Sequence, residues 1–225
     1  MSKERLLLGW DTATPTSGLV LMEGNKLLAA VEVHLDKSTT SKVFTALDAL
    51  LKLVGRERGD VKAMGLVKGP GSFTGIRLAA AAAKGLALSL KIPFYPCTTT
   101  EALARVVPIE ETLLSPTLDA RRGQGYGAIF RWRAGKMERL TSDMALDVDK
   151  WREMEEKVLF LGPGVKALGF KGLHPTPTAA LGAALLAFDK MKKGEGGANP
   201  LTSSPLYIRP SDAETNKEIR LSPWD

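Results

Sequence analysis

The chain has 225 residues, of which 44% are hydrophobic, and this length and composition suit one large or two small domains with a real core. It carries one cysteine, Cys97, and two histidines, His34 and His174, with no H-x-x-x-H or C-x-x-C spacing, which excludes an internal disulfide, a zinc site of the usual kind and an H-E-x-x-H metalloprotease. The formal net charge of +6 suits a polyanionic partner, RNA among them, or a basic solvated surface.

In chain order, residues 6–33 begin with an apolar strand ending in Asp11. A polar turn leads to a second strand, and "EGNK" makes a hairpin into a third. Residues 40–55 place Val43, Phe44, Leu47, Leu50, Leu51 and Val54 at helical spacing, with Thr40 or Ser41 as cap and Gly55 as stop. A strand at 61–69, a helix at 73–90 and a helix at 99–106 follow. Residues 113–140 then repeat the opening pattern: an apolar strand reaching Asp119, a glycine-bearing turn, a second strand, the hairpin "RAGK" and a third strand. A duplicated fold is the simplest explanation, with chance similarity of two β-meanders as the alternative. Trp151 opens a charged helical stretch and is expected to anchor it to the core. Residues 157–170 read as strand, tight turn and short helix. Residues 176–197 read as a helix ending in lysines and glycines, and 211–225 as a loose polar tail. The expectation is an α/β protein of two domains, 1–107 and 108–225, the second the smaller. No apolar run reaches the ~20 residues of a bilayer span. The start "MSKERLLLGWD" has no signal-peptide pattern, so a cytosolic protein without a membrane role is expected.

The segment "VKGPGSFTGIRLAAAAAKGLALSL" (67–90) runs from a strand through three glycines into a helix, a placement that suits an anion. Its spacing fits neither phosphate rule. G-x-G-x-x-G requires glycine where Thr74 stands, and G-x-x-x-x-G-K requires lysine where Ile76 stands. The competing explanation is close passage of backbone by backbone. The helix it launches is built of small residues. Leu78, Ala82 and Leu86 trace one stripe against which another helix, from this chain or another subunit, can pack.

"GWDTATPTSGLVL", "KGPGSFTGIRLAAAAAKGLA", "LDARRGQGYGAIF", "FLGPG" and "PLYIR" together resemble the landmarks of the TsaB (YeaZ) family over roughly residues 5–209. The resemblance implies the actin-like fold of the sugar kinase, Hsp70 and actin superfamily, two copies of a β-meander-plus-helix domain. It implies a non-catalytic subunit that binds a TsaD-type transferase, with a TsaE-type ATPase joining them. That complex places threonylcarbamoyl on N6 of adenosine 37 in tRNAs reading codons that begin with A, and contact of this chain with tRNA is expected to be indirect or weak. The implied partner surface comprises Val43, Phe44 and Leu47 of the first helix and Ser72, Phe73, Arg77, Leu78, Ala82 and Leu86 of the second. The same helices serve equally for a homodimer. Asp11, Asp119, Gly162 and Gly164 match a vestigial nucleotide pocket; no catalytic residue, metal or required cofactor is implied, and ATP or ADP at the complex interface stays open. Where active relatives use such aspartates beside phosphates, these also read as turn-forming residues at strand ends. The chain departs from the family in "DKSTTSK", where a histidine-containing segment is usual, and at Gln124, where glutamate is common. An independent ATP-using enzyme is the alternative. A peptidase is disfavoured, because neither histidine sits beside a recognisable nucleophile. Arg131 and Arg133 alternate with Phe130 and Trp132, predicting a solvated face over a core face, or phosphate contacts together with Arg121, Arg122 and Lys136.

Overall fold

Near-continuous apolar runs, buried on both faces, and a two-residue hairpin between Glu23 and Lys26 give the first third of the chain its sheet. In the computed structural model, which describes residues 5–34, 42–174 and 179–208, β1 (Leu6–Asp11), β2 (Thr16–Glu23) and β3 (Lys26–His34) form an antiparallel meander. β4 (Val61–Val67) and β5 (Phe94–Cys97) add parallel strands beyond β1, so the order is β3-β2-β1-β4-β5. α1 (Val43–Leu53) precedes β4, and α2 (Phe73–Leu90) links β4 to β5. Both cover one face of the sheet, where Leu6, Leu8, Trp10, Leu19 and Leu21 meet Val43, Leu47, Leu51, Leu86 and Ala87.

The second half repeats the plan. After α3 (Thr99–Arg105) come β6 (Leu113–Arg121), β7 (Gln124–Gly127), β8 (Phe130–Arg133), β9 (Lys136–Arg139), β10 (Met144–Asp147), α4 (Val148–Arg152), β11 (Leu159–Leu161), α5 (Pro163–Leu168) and β12 (Gly172–Leu173). The sheet order β10-β7-β6-β11-β12, with two antiparallel and two parallel pairings, matches the first sheet position by position. This doubled arrangement is the actin-like fold. The predicted three-strand meander is here broken into five. Between β7 and β8 the backbone bends, where Ile129 N–H donates to the Thr141 hydroxyl at 2.9 Å and Leu140 N–H to the Ile129 carbonyl. The second and third strands thereby become two each, while β6 stays whole and pairs with both β7 and β8. Trp151 is fully buried, and its indole N–H donates to the Gly125 carbonyl at 3.0 Å, fixing α4 on β7. Cys97 is buried in β5, and burial pushes its thiol well above the ordinary range.

The last helix, α6 (Ala179–Lys192), leaves its own half and packs on the first sheet, opposite α1 and α2. Its Ala180, Ala184 and Ala187 meet Leu7, Val20, Met22, Ala63 and Tyr95. Small residues on both sides let helix and sheet touch through backbone: a Cβ on Gly65 of β4 would lie 2.1 Å from the Ala183 carbonyl oxygen. Arg105 of α3 pairs with Asp189 of α6 at 2.7 Å. Arg139 reaches Thr98 at the start of α3 at 2.7 Å, and Asp143 accepts from Thr100, so the two halves are also joined by polar bonds.

Two expectations need correction. α1 starts after Lys42, which makes no side-chain capping bond; Thr40 and Ser41 lie outside the described residues, as does the tail 211–225. Val43, Leu47 and Leu86, assigned to a partner surface, are 6%, 0% and 7% exposed, because the apolar stripes of α1 and α2 face this chain's own sheet. Arg131 and Arg133 lie on the solvated side of β8, as expected, paired with Glu138 at 2.9 Å and Glu111 at 3.7 Å. Phe130 and Trp132 are buried on the opposite face, as the alternation predicts.

Two glycine substitutions separate close contact from open surface. Gly65→Ala must push α6 off β4 and should lower stability by about 3 kcal/mol. Gly85→Ala, at a mid-helix site in α2 with nothing within 4 Å, should raise it by about 0.5–1 kcal/mol. Urea unfolding of the two variants checks both signs; equal stabilities would contradict the contact.

Candidate functional site

β1 and β6 occupy equivalent places in the two sheets, and each carries an aspartate at or near its end, Asp11 and Asp119, that binds the backbone of the turn beyond it. Asp11 Oδ1 accepts from Ala13 N–H at 2.7 Å; Asp119 Oδ1 accepts from Arg121 N–H at 2.7 Å. Both are turns in which the side chain binds backbone two residues on. The duplication thus extends to hydrogen bonds.

Their surroundings differ. Between the two strand ends lies a cleft of about 520 Å³. Thr14 and Pro15 from the β1 turn, Pro70 to Thr74 from the glycine loop, Leu118 to Arg122 from β6 and its turn, Pro163 and Ala167 of α5, and residues 206–208 line it. Asp119 is exposed and lines the cleft with Arg121 and Arg122. Asp11 is fully buried and does not line it. Gly162 and Gly164 stand behind the wall: Gly162 N–H donates to the Leu173 carbonyl at 2.8 Å, and a Cβ on Gly164 would lie 2.6 Å from the Thr117 carbonyl oxygen. The four predicted pocket residues are therefore not brought together; one of them, Asp119, faces the cleft. Among the described residues, no three His, Cys, Asp or Glu side chains converge as a metal site would require.

The glycine loop is explained by packing. A Cβ on Gly71 would lie 2.2 Å from the Ala13 carbonyl oxygen, and one on Gly75 1.8 Å from that of Thr12. Ser72 N–H donates to the Ala13 carbonyl at 2.7 Å, and the Thr12 hydroxyl to the Gly75 carbonyl at 2.6 Å. Ser72 caps α2, its Oγ accepting from Gly75 N–H at 3.2 Å. The N–H groups of Ser72 and Gly75 are thus already engaged within the protein.

On α2, Ile76, Ala83, Leu86 and Ala87 are buried, while Thr74, Arg77, Ala81, Gly85 and Leu88 are exposed along its outer side. Leu78 and Ala82 are half-buried between the two faces, and Phe73 is half-buried at the helix start. On α1, half-buried Phe44 packs edge-on against Trp10 with centroids 5.7 Å apart. Among the described residues, α2 alone is long and apolar enough to span a bilayer by length and composition. Sequence reasoning missed Tyr207, whose ring lies 5.0 Å from that of Phe73. The only hint was an aromatic residue in "PLYIR".

Hydrogen-bond accounting at Asp11 predicts a pH effect. The Thr14 hydroxyl has one proton but lies 2.5 Å from Asp11 Oδ2 and 2.8 Å from the Thr16 carbonyl oxygen. A protonated Asp11 resolves this by donating to Thr14, which then donates to Thr16. Burial raises the Asp11 carboxyl from its ordinary 3.8 to about 6, against the lowering effect of its Thr14 and Ala13 bonds. The folded state therefore binds the extra proton, and the stability this group contributes falls as pH rises from 3.8 to about 6, by about 3 kcal/mol in all. Asp11→Asn supplies the donor permanently and should lose that slope. Urea unfolding between pH 4 and 7.5 should show wild type falling relative to the variant by about this amount; parallel curves would contradict it.

The family model of TsaD, described as tRNA N6-adenosine threonylcarbamoyltransferase, matches residues 35–177. TsaB of Bacillus subtilis, a tRNA threonylcarbamoyladenosine biosynthesis protein, is 30% identical over 227 residues, covering 92% of this chain and 96% of its own length. TsaB of Escherichia coli is 28% identical over 127 residues, 56% of this chain and 54% of that one. The solved structure of YeaZ from Pseudomonas aeruginosa shares the fold, with a TM-score of 0.73 at 22% identity over 90% of this chain and 99% of that one. The sequence landmarks, the doubled sheet and these matches agree: the chain belongs to the TsaB/YeaZ family.

Proposed function

We propose that the chain is the non-catalytic assembly subunit of a complex that transfers threonylcarbamoyl to N6 of adenosine 37 in tRNAs reading codons that begin with A. On this reading it binds and supports a TsaD-type catalytic subunit, and a TsaE-type ATPase joins the pair. Its family makes it a protein of tRNA threonylcarbamoyladenosine biosynthesis. The division of labour within the complex rests on the site.

The observation that carries the reading is the outer face of α2. Thr74, Arg77, Ala81, Gly85 and Leu88 recur at helical spacing and are exposed, and nothing lies within 4 Å of a Cβ on Gly85. Small residues at this spacing let a second helix approach closely. The same face is open to a second copy of the chain. The competing reading, independent ATP chemistry, needs Asp11 or Asp119 beside phosphates; Asp11 is buried under its own turn, which leaves Asp119 alone on the cleft, beside Arg121 and Arg122. No cofactor is required by the proposed role; ATP or ADP reaching the cleft would meet Asp119, Arg121 and Arg122.

A charge on the outer face tests the reading better than one at Leu86, which would disrupt the core. Ala81→Glu and Gly85→Glu should each remove co-purification with the host's TsaD-type subunit, with at least a tenfold loss of affinity, about 1.4 kcal/mol. Melting temperatures should stay within a few degrees of wild type. Folded variants that retain full binding would place the partner elsewhere.

A further inference from the structure

The C-terminal stretch returns to the first half of the molecule. Ala198 N–H donates to the Phe94 carbonyl at 2.7 Å, and Leu206 N–H to the Lys68 carbonyl at 2.8 Å. This seats Tyr207 against the first turn of α2. There Arg77 Nε–H donates to the Tyr207 hydroxyl at 3.2 Å. The guanidinium lies 3.8 Å from the Phe73 ring centroid and 6.0 Å from that of Tyr207. One face and one N–H of Arg77 are thus held, while its two terminal nitrogens make no hydrogen bond or ion pair among the described residues. Arg77 is exposed, and α2 contains no Asp or Glu that could turn to it.

We infer that this strap, residues 204–208, completes the partner surface by presenting the end-on fork of Arg77 to a carboxylate of the TsaD-type subunit. The inference rests on the assembly reading above and adds the chemistry of the contact. A guanidinium fixed by stacking and one hydrogen bond offers two parallel N–H donors in the geometry a carboxylate accepts. It has also lost much of the side-chain freedom that binding would otherwise remove. A carboxylate suits it better than an RNA backbone. The next cation on the same side of α2 is Lys84, about 10 Å along the axis. Ala81 lies between them, and Gly85 and Leu88 continue the face. An apolar helix face with one preorganised fork at its end fits a protein helix carrying a single acid. A row of phosphates calls for several adjacent cations. Tyr207 acts as a positioning residue: it holds Arg77 and does not itself need to touch the partner.

The test measures the dissociation constant for the host's purified TsaD-type subunit, using the full-length chain. Arg77→Ala should weaken binding at least tenfold, and Arg77→Lys should not restore it, because an ammonium lacks the fork. Tyr207→Phe keeps the ring but frees Nε, and should weaken binding severalfold. Combined with Arg77→Ala it should add nothing further, since both act through one group. Ala81→Glu is the control for the face itself. If Ala81→Glu abolishes binding while Arg77→Ala and Tyr207→Phe leave it within twofold, the assembly reading stands and this inference falls. If none of the three matters, both fall. Binding of unmodified tRNA by the isolated chain is the second arm. Loss of that binding in Arg77→Ala with unchanged affinity for the subunit would make the arginine a phosphate contact and overturn the proposal.

Discussion

Backbone pressed on backbone at the exit of β1 governs the rest of this structure. The Thr12 and Ala13 carbonyl oxygens occupy the space that side chains at Gly75 and Gly71 would need. Ser72 N–H and the Thr12 hydroxyl close the contact with hydrogen bonds. Any residue with a Cβ at these glycines would force the loop away from β1, at a cost typical of core overpacking, about 1–3 kcal/mol. The first turn of α2 is therefore fixed to the strand end that carries Asp11. Two donors that a phosphate loop would offer to a ligand, the N–H groups of Ser72 and Gly75, are spent on the protein itself. What resembles a nucleotide loop by position is a rivet between strand and helix.

Once the start of α2 is fixed, its two sides have separate fates. The inner side, with Ala83, Leu86 and Ala87, closes the core over the first sheet. The outer side carries Ala81 and Gly85, too small to cover themselves, beside exposed Leu88. The contrast with α6 is instructive. α6 is equally rich in alanine, but its small face is satisfied within the chain, against Leu7, Val20 and Met22. The same composition closes an internal contact in one helix and, among the described residues, leaves an uncovered face in the other. This is why the proposed role is placed on α2.

Local signals in the sequence were legible. The hairpins at 23–26 and 133–136 formed, because glycine at positive φ follows from short-range turn chemistry. Both aspartates fold their turns as their neighbours dictate. Which of them is buried was not legible: Asp11 and Asp119 share a turn but not an environment, and that difference arises from distant packing. The facing of α1 and α2 was also misjudged at Val43, Leu47 and Leu86. In a helix of alanine and glycine the contrast between faces is weak, so a stripe such as Leu78, Ala82 and Leu86 does not say whether it faces a sheet or a partner. Tyr207 meets Arg77 across 130 positions, a separation over which no pattern along the chain speaks. The return of α6 to the first sheet is equally non-local.

The central claim is that this chain serves through the outer face of α2 and not through carboxylate chemistry in its cleft. The most direct measurement is mass spectrometry of adenosine 37 in tRNA from a host whose own copy is deleted and replaced by single variants. Gly85→Glu should leave the threonylcarbamoyl modification absent, as in the deletion, while Asp119→Asn should restore it to the wild-type level. Full modification with Gly85→Glu and loss with Asp119→Asn would contradict the account and move the function into the cleft.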